Sequence, residues 1–167
     1  MDAESRAEER PADYRDELRL WLRLLTCVTM VEGEIRGRLR SHFDVTLPRF
    51  DLMAQLEKSP DGMTLGELSR RMMVSNGNIT GLVERLLELG VVVRLPHPTD
   101  RRAAIVQLSE AGRTAFAEMA QVHGVWVAEM FSGLSAAERS SMMNLLARLK
   151  TSTRMSIDQQ SPDTDRK

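Results

Sequence analysis

The stretch VVVRLPHPTDRRAAIVQL, residues 91–108, places two short β-branched and aliphatic runs on either side of a polar tip carrying Pro96, Pro98, Asp100, Arg101 and Arg102. Runs of this kind, bounded by turn-forming residues, read as a β-hairpin. Just upstream, Ser75 precedes Ile79, Leu82, Val83, Leu86 and Leu87, and Gly90 follows them. A serine N-cap, apolar residues at three- and four-residue spacing, and a glycine past the end spell one amphipathic helix. Further upstream, Thr64 and Glu67 form a Thr-x-x-Glu capping box ahead of Leu65, Leu68 and Met72, which opens a shorter helix. Two short helices joined by a tight turn and followed by a hairpin make a helix-turn-helix with a wing.

Outward from this unit the pattern is helical. Leu18, Trp21, Leu22, Leu25, Val28, Val31, Ile35 and Leu39 step by three and four between Asp13 and Phe43, the period of one amphipathic helix, with Gly33 and Gly37 weakening its second half. Its length of roughly 40 Å exceeds what a small domain needs for its own core, so it is expected to pack on a second chain. Thr46 and Pro48 start another helix through Phe50, Met53 and Leu56, which SPDG at 59–62 breaks. Beyond the hairpin, Ser109 caps a long helix carrying Ala111, Phe116, Met119, Ala120, Trp126, Val127 and Met130, and a second capping box, Ser135 to Glu138, opens a last helix with Met142, Leu145, Leu146 and Leu149 on one side. The fold class expected is therefore mostly α with a small β-hairpin. Residues 1–12 and 156–167 are polar and aperiodic and read as disordered ends.

Composition narrows the function. The 167 residues are 42% hydrophobic and 28% charged, as in a soluble globular chain; no apolar run approaches a membrane span, and the N-terminus has no signal-peptide core. A cytoplasmic setting is the expectation. Cys27 is the single cysteine and forms no internal disulfide. Gly-rich phosphate loops, a nucleophile elbow and HExxH are missing, and His42, His97 and His123 are scattered, so no catalytic residue, metal site or cofactor is expected. The net charge of −1 hides a local excess: between Arg70 and Arg113 seven arginines stand against four acids. Nucleic-acid binding follows where charge sits, not its sum.

A helix entering a major groove needs small polar residues near its N-terminus and an apolar face behind. Ser75, Asn76, Gly77, Asn78, Thr80 and Gly81 meet that need; asparagine pairs with adenine, and a helix N-terminus suits a phosphate. Arg101 and Arg102 at the hairpin tip suit the negative potential of a minor groove, with Asp100 spaced to hold one of them, while Arg94 within the first strand supports the wing or touches a phosphate. The bland alternatives are an ordinary N-cap and a solvated turn. A helical protein-interaction module without DNA binding is the rival function.

TLPRFDLMAQL (46–56), TLGELSRRMMVSNGNITGLVERLLELGVVVR (64–94), the Asp-x-Arg at Asp100 and Arg102, and VQLSEAGR (106–113) together resemble the MarR-type winged-helix transcriptional regulators, over about Leu18 to Leu149. The resemblance implies a homodimer: residues 13–45 as a dimerisation helix, 46–108 as the winged DNA-binding lobe, and 109–155 as C-terminal dimerisation helices. It implies a double-stranded, pseudo-palindromic operator, with Ser75, Asn76, Asn78 and Thr80 facing the major groove and Arg102, braced by Asp100, the minor groove. Repression is the usual mode, often relieved by a small aromatic compound bound between the dimerisation helices and the lobe. Trp21, Met30, His42 and Phe43 are candidate lining residues here, or else ordinary core. Arg36, Arg38 and Arg40, with His42 and Arg49 near in sequence, suggest an anionic effector, an aromatic acid or its CoA thioester, against the alternative of a solvated helix face. Cys27 is expected to be a buried structural thiol, with redox sensing as the alternative.

Overall fold

The computed structural model describes residues 14–100 and 103–160. Arg101, Arg102, residues 1–12 and the last part of the expected C-terminal tail thus lie outside the described residues. Among the described residues six helices and three strands follow in the order α1 (Arg15–Phe43), α2 (Leu47–Glu57), β1 (Met63–Thr64), α3 (Leu65–Met72), α4 (Asn76–Glu88), β2 (Val92–Pro96), β3 (Ala104–Leu108), α5 (Glu110–Met130) and α6 (Ala136–Gln160). The chain divides after Trp126 into two compact units, with the last turn of α5 and all of α6 in the second.

In the first unit, α2, α3 and α4 pack around a small antiparallel sheet of order β1-β3-β2. β1 is a strand the sequence did not disclose: Met63 pairs with Val106 and Thr64 with Ile105, so β3 of the hairpin is the central strand of a three-stranded sheet. Across β2 and β3, Val92 pairs with Leu108 and Arg94 with Val106. Cross-strand partners share a face, so Met63, Val92, Val106 and Leu108 turn one apolar side inward, and all four are buried. Leu39 of α1, Leu52, Met53 and Leu56 of α2, Leu68 of α3, Ile79, Val83 and Leu86 of α4, and Phe116 and Met119 of α5 are buried as well, as are Ile35, Phe50 and Trp126.

Local rules account for the element boundaries. The Thr64 hydroxyl accepts the Glu67 N–H while the Glu67 carboxylate accepts the Thr64 N–H at 2.8 Å, and the Ser75 hydroxyl accepts the Asn78 N–H at 3.3 Å. Gly90, at φ 69°, ends α4 in the left-handed region that glycine enters without penalty. Ser109 then joins wing to helix: its N–H bonds the Val91 carbonyl at 3.0 Å, and its hydroxyl donates to the Gly90 carbonyl at 2.7 Å while accepting the Gly112 N–H at 3.0 Å. A Cβ on Gly112 would fall 1.8 Å from the Val91 carbonyl oxygen. Only glycine lets α5 start this close to the base of the wing.

The two long helices α1 and α6 bury little of their apolar faces within the chain. Only Ile35 and Leu39 of α1 are buried, both on its C-terminal half, whereas Leu18, Trp21, Leu22, Leu25 and Val28 are each about half exposed. Cys27 is exposed too, which corrects its expected burial: amphipathic spacing identifies an apolar face without saying that the same chain covers it. In the second unit, the capping box forms as read, Ser135 N–H to Glu138 at 2.8 Å and Glu138 N–H to Ser135 at 3.2 Å. The Glu138 carboxyl is held below its ordinary value by those Ser135 bonds, side chain first and backbone second. α6 runs on through residues 156–160, which the sequence assigned to a disordered tail. No glycine or proline interrupts it before Pro162, so polar composition alone did not end the helix. None of residues 136–159 is buried. Among the described residues no helix is long and apolar enough to cross a membrane.

Candidate nucleic-acid interface

α4 presents two unlike sides. Ile79, Val83 and Leu86 are buried at four- and three-residue spacing, the opposite side carries Gly77 and Gly81, and Ser75, Asn76 and Asn78 are exposed around the N-terminal end of the helix. Gly77 and Gly81 lie one turn apart at the centre of that outer side, and a Cβ on either would meet nothing within 4 Å. Their smallness is not required by packing within the chain. Further along the same side Glu84 and Glu88 are exposed, and Glu88 accepts from Arg85 at 2.7 Å, so only the first two turns suit a polyanion. The Thr80 hydroxyl donates to the Asn76 carbonyl at 2.9 Å; its proton is committed to the helix and only its lone pairs remain for a ligand.

The turn leading into α4 is fixed on both sides. The Ser69 hydroxyl donates to the Val74 carbonyl at 2.6 Å, the Val74 N–H returns to the Ser69 carbonyl at 3.2 Å, and Met73 takes a left-handed φ of 55°. Arg71 reaches across to the Ser59 hydroxyl at 3.4 Å. The Glu67 carboxyl is held below its ordinary value, by the Thr64 backbone bond first and the Thr64 hydroxyl second, with Arg70 and Arg71 adding smaller contributions. It therefore stays ionised as the acceptor of the capping box.

On the wing, Arg94 is exposed on the edge strand β2 and pairs with the buried Val106 of β3. Asp100 is exposed at the tip and engaged in an interaction. Arg101 and Arg102 lie outside the described residues. His97, which the sequence offered only as a scattered histidine, shapes this tip: its Nδ1 faces the backbone N–H groups of Thr99 and Asp100.

The residues expected to bind an effector are brought together in part. Arg38 lies with its guanidinium carbon 5.8 Å from the Trp126 ring centroid and bonds Glu34 at 2.7 Å. His42 meets Trp126 edge-on at 5.2 Å, with Phe43 at 6.2 Å from the same indole. Trp126 is the member that sequence reasoning placed only as a helix core residue; its contact with α1 depends on tertiary packing that no local spacing encodes. Arg36 pairs with Glu32 one turn back, Arg40 is exposed, and Arg49 at the start of α2 is half-buried. Trp21 lies fifteen residues before Arg36, about 22 Å away along α1, and Met30 is exposed. Neither belongs to the Trp126 cluster within one chain. Nearby, the Asp51 carboxyl is pushed above its ordinary value, chiefly by partial burial and next by the Glu32 charge, with His123 acting in the opposite sense. Among the described residues no group of three or more histidine, cysteine or acidic side chains suits a metal ion.

A capped helix with a polar N-terminal face, packed on a preceding short helix and followed by a twisted hairpin, defines a winged helix-turn-helix protein. A family profile described as MarR family matches residues 43–103. The transcriptional activatory protein BadR of Rhodopseudomonas palustris is 32% identical over 119 residues, 69% of this chain and 67% of that protein. A MarR family transcriptional regulator from Silicibacter pomeroyi superposes with a TM-score of 0.72 at 31% identity, covering 86% of this chain and 99% of that one. A mutant MarR from Escherichia coli complexed with operator DNA gives 0.70 at 26% identity, over 83% and 99% of the two chains. The chain belongs to the MarR family of transcriptional regulators.

Proposed function

We propose that the chain acts as a homodimer that binds a pseudo-palindromic duplex operator, with the first two turns of α4 in the major groove and the wing in the adjacent minor groove. The observation that carries this reading is the outer side of α4. Two glycines with open space above them, flanked by Ser75, Asn76 and Asn78, let a DNA backbone and base edges come close, while the buried side holds the helix rigidly to the sheet. The Escherichia coli relative solved on operator DNA supports the same use of the fold. Arg94 and Arg102 add cationic contacts on the wing, with Asp100 steering Arg102 and Arg101 a second contact.

Dimerisation is supported separately by each unit. The apolar N-terminal half of α1 is open to solvent, and so are Met142, Leu145, Leu146 and Leu149 on α6. Isolated soluble chains rarely expose contiguous apolar patches beyond a few hundred Å², so a second copy is the natural cover for both. In this reading residues 13–45 and 109–155 serve dimerisation and 46–108 serve DNA binding.

Substitution separates positioning contacts from base-reading ones. Arg102→Ala should weaken binding to a selected duplex by about 1–3 kcal/mol, whereas Asn78→Ala should relax base preference while leaving the salt slope nearly unchanged. Fluorescence anisotropy over a salt series reads both. Variants that alter only thermal stability, with affinity and preference intact, would remove α4 and the wing from the interface.

The effector in this reading is an aromatic anion that meets the Trp126, His42 and Phe43 rings with its aromatic part and Arg36, Arg38, Arg40 or Arg49 with its charge. Arg36 and Arg38 already bond Glu32 and Glu34, so an anion must compete for them. That favours a ligand with several negative charges, such as an aromatic acyl-CoA thioester, over a simple carboxylate. Calorimetry with benzoate and benzoyl-CoA distinguishes the two: the thioester should bind and Arg36→Ala/Arg40→Ala should weaken it, while equal heats for wild type and variant would count against the site. Effector binding would then release the operator and lift repression. Activation is the second reading of the output, favoured by the description of the Rhodopseudomonas palustris relative as an activatory protein.

A further inference from the structure

At the end of β2 the His97 Nδ1 atom lies 3.3 Å from the backbone nitrogen of Thr99 and 3.2 Å from that of Asp100, with the Thr99 hydroxyl at 3.4 Å. Backbone N–H groups only donate, so Nδ1 must offer a bare lone pair and the ring proton must sit on Nε2. Pro98 has no N–H to compete for that lone pair. Two main-chain bonds close the same loop, His97 N–H to the Ala103 carbonyl at 3.2 Å and Ala103 N–H to the Asp100 carbonyl at 3.1 Å. A side-chain acceptor serving N–H groups two and three residues ahead is the geometry by which Asn and Asp nucleate turns.

We propose that His97 is the positioning residue of the wing: as a neutral acceptor its imidazole fixes the backbone of residues 97–100, directly ahead of Arg101 and Arg102, and so sets where the wing meets DNA. The proposal rests on the reading of the wing as a DNA contact. It requires chemistry opposite to that of a histidine binding phosphate. A phosphate ligand would use the charged ring, which carries a proton on Nδ1 and would turn an N–H against two other N–H donors.

The test uses the full chain as wild type, His97→Ala, His97→Asn and His97→Lys, with amide exchange and imidazole nitrogen spectra by NMR and affinity for one selected duplex. Wild type should show the Nε2–H tautomer. His97→Ala should lose protection at Thr99 and Asp100 and bind about tenfold more weakly, the worth of one or two net hydrogen bonds. His97→Asn, whose side-chain carbonyl replaces the acceptor, should restore both, and His97→Lys, which supplies charge without an acceptor, should restore neither. An Nδ1–H tautomer, unchanged protection in His97→Ala, or full affinity in His97→Lys with none in His97→Asn would overturn the proposal. Failure of every form to bind duplex DNA would instead defeat the DNA reading, and the tautomer and exchange pattern would still decide whether His97 organises the turn.

Discussion

Glycine inside a helix costs about 0.5–1 kcal/mol relative to alanine, and at position 81 the structure holds no neighbour within 4 Å that would forbid a Cβ. The sign of a Gly81→Ala substitution therefore depends on what α4 is for. If the helix only packs, alanine improves it at no loss; if it lies against DNA, a methyl group appears where a backbone must approach. Urea unfolding should show Gly81→Ala stabilised by about 0.5–1 kcal/mol, and duplex titration should show it weakened. Gain on both counts would argue that nothing docks there. At this scale the sequence was informative wherever the rule is local: Ser75, Thr64, Ser109 and Ser135 cap helices because a hydroxyl within three residues of an orphan N–H finds it. It was silent on His97 and Trp126. The first acts through a turn whose shape depends on Pro98 and the β3 backbone, the second through α1.

Among the elements, the winged unit was legible because three independent signals coincide between Thr64 and Leu108: a capping box, a glycine-terminated helix and a hairpin. β1 was not, since two residues carry no period and their pairing partner lies more than forty positions away, at Ile105 and Val106. Nor did composition find the end of α6, which continues to Gln160. The junction between wing and α5 ties these elements into one piece. Ser109 bonds the Gly90 and Val91 carbonyls of the α4–β2 turn, and Gly112 leaves room for the Val91 carbonyl. Gly112→Ala must push that carbonyl away or shift the start of α5; thermal unfolding should fall by an amount equivalent to about 1–3 kcal/mol, and the variant that still folds should bind duplex more weakly because the wing moves relative to α4. An unchanged melting temperature would mean that the close approach is dispensable.

For the whole molecule, charge and apolar surface are divided between tasks. Arginines gather between positions 70 and 113 although the chain carries a net charge of −1, and the exposed large apolar side chains are most numerous on α1 and α6, with Met73, Leu89, Val93 and Leu95 the exposed ones on the winged unit. Helical periodicity revealed those faces but not what covers them, because amphipathic spacing is the same for a face buried within a chain and one buried between two. The distinction needs the folded chain, where Leu22 and Leu25 remain half exposed. A dimer of winged units reads two half-sites about one helical turn apart, so both claims meet in one measurement: selection of bound duplexes from a random pool by the wild-type chain and by Leu22→Glu/Leu25→Glu. The account predicts that wild type returns an inverted repeat with half-sites separated by about 10 base pairs, with affinity falling steeply as salt rises, and that the double variant, monomeric by sedimentation, returns no repeat. A wild-type pool without any enriched sequence, or one whose retention is indifferent to salt, would contradict it.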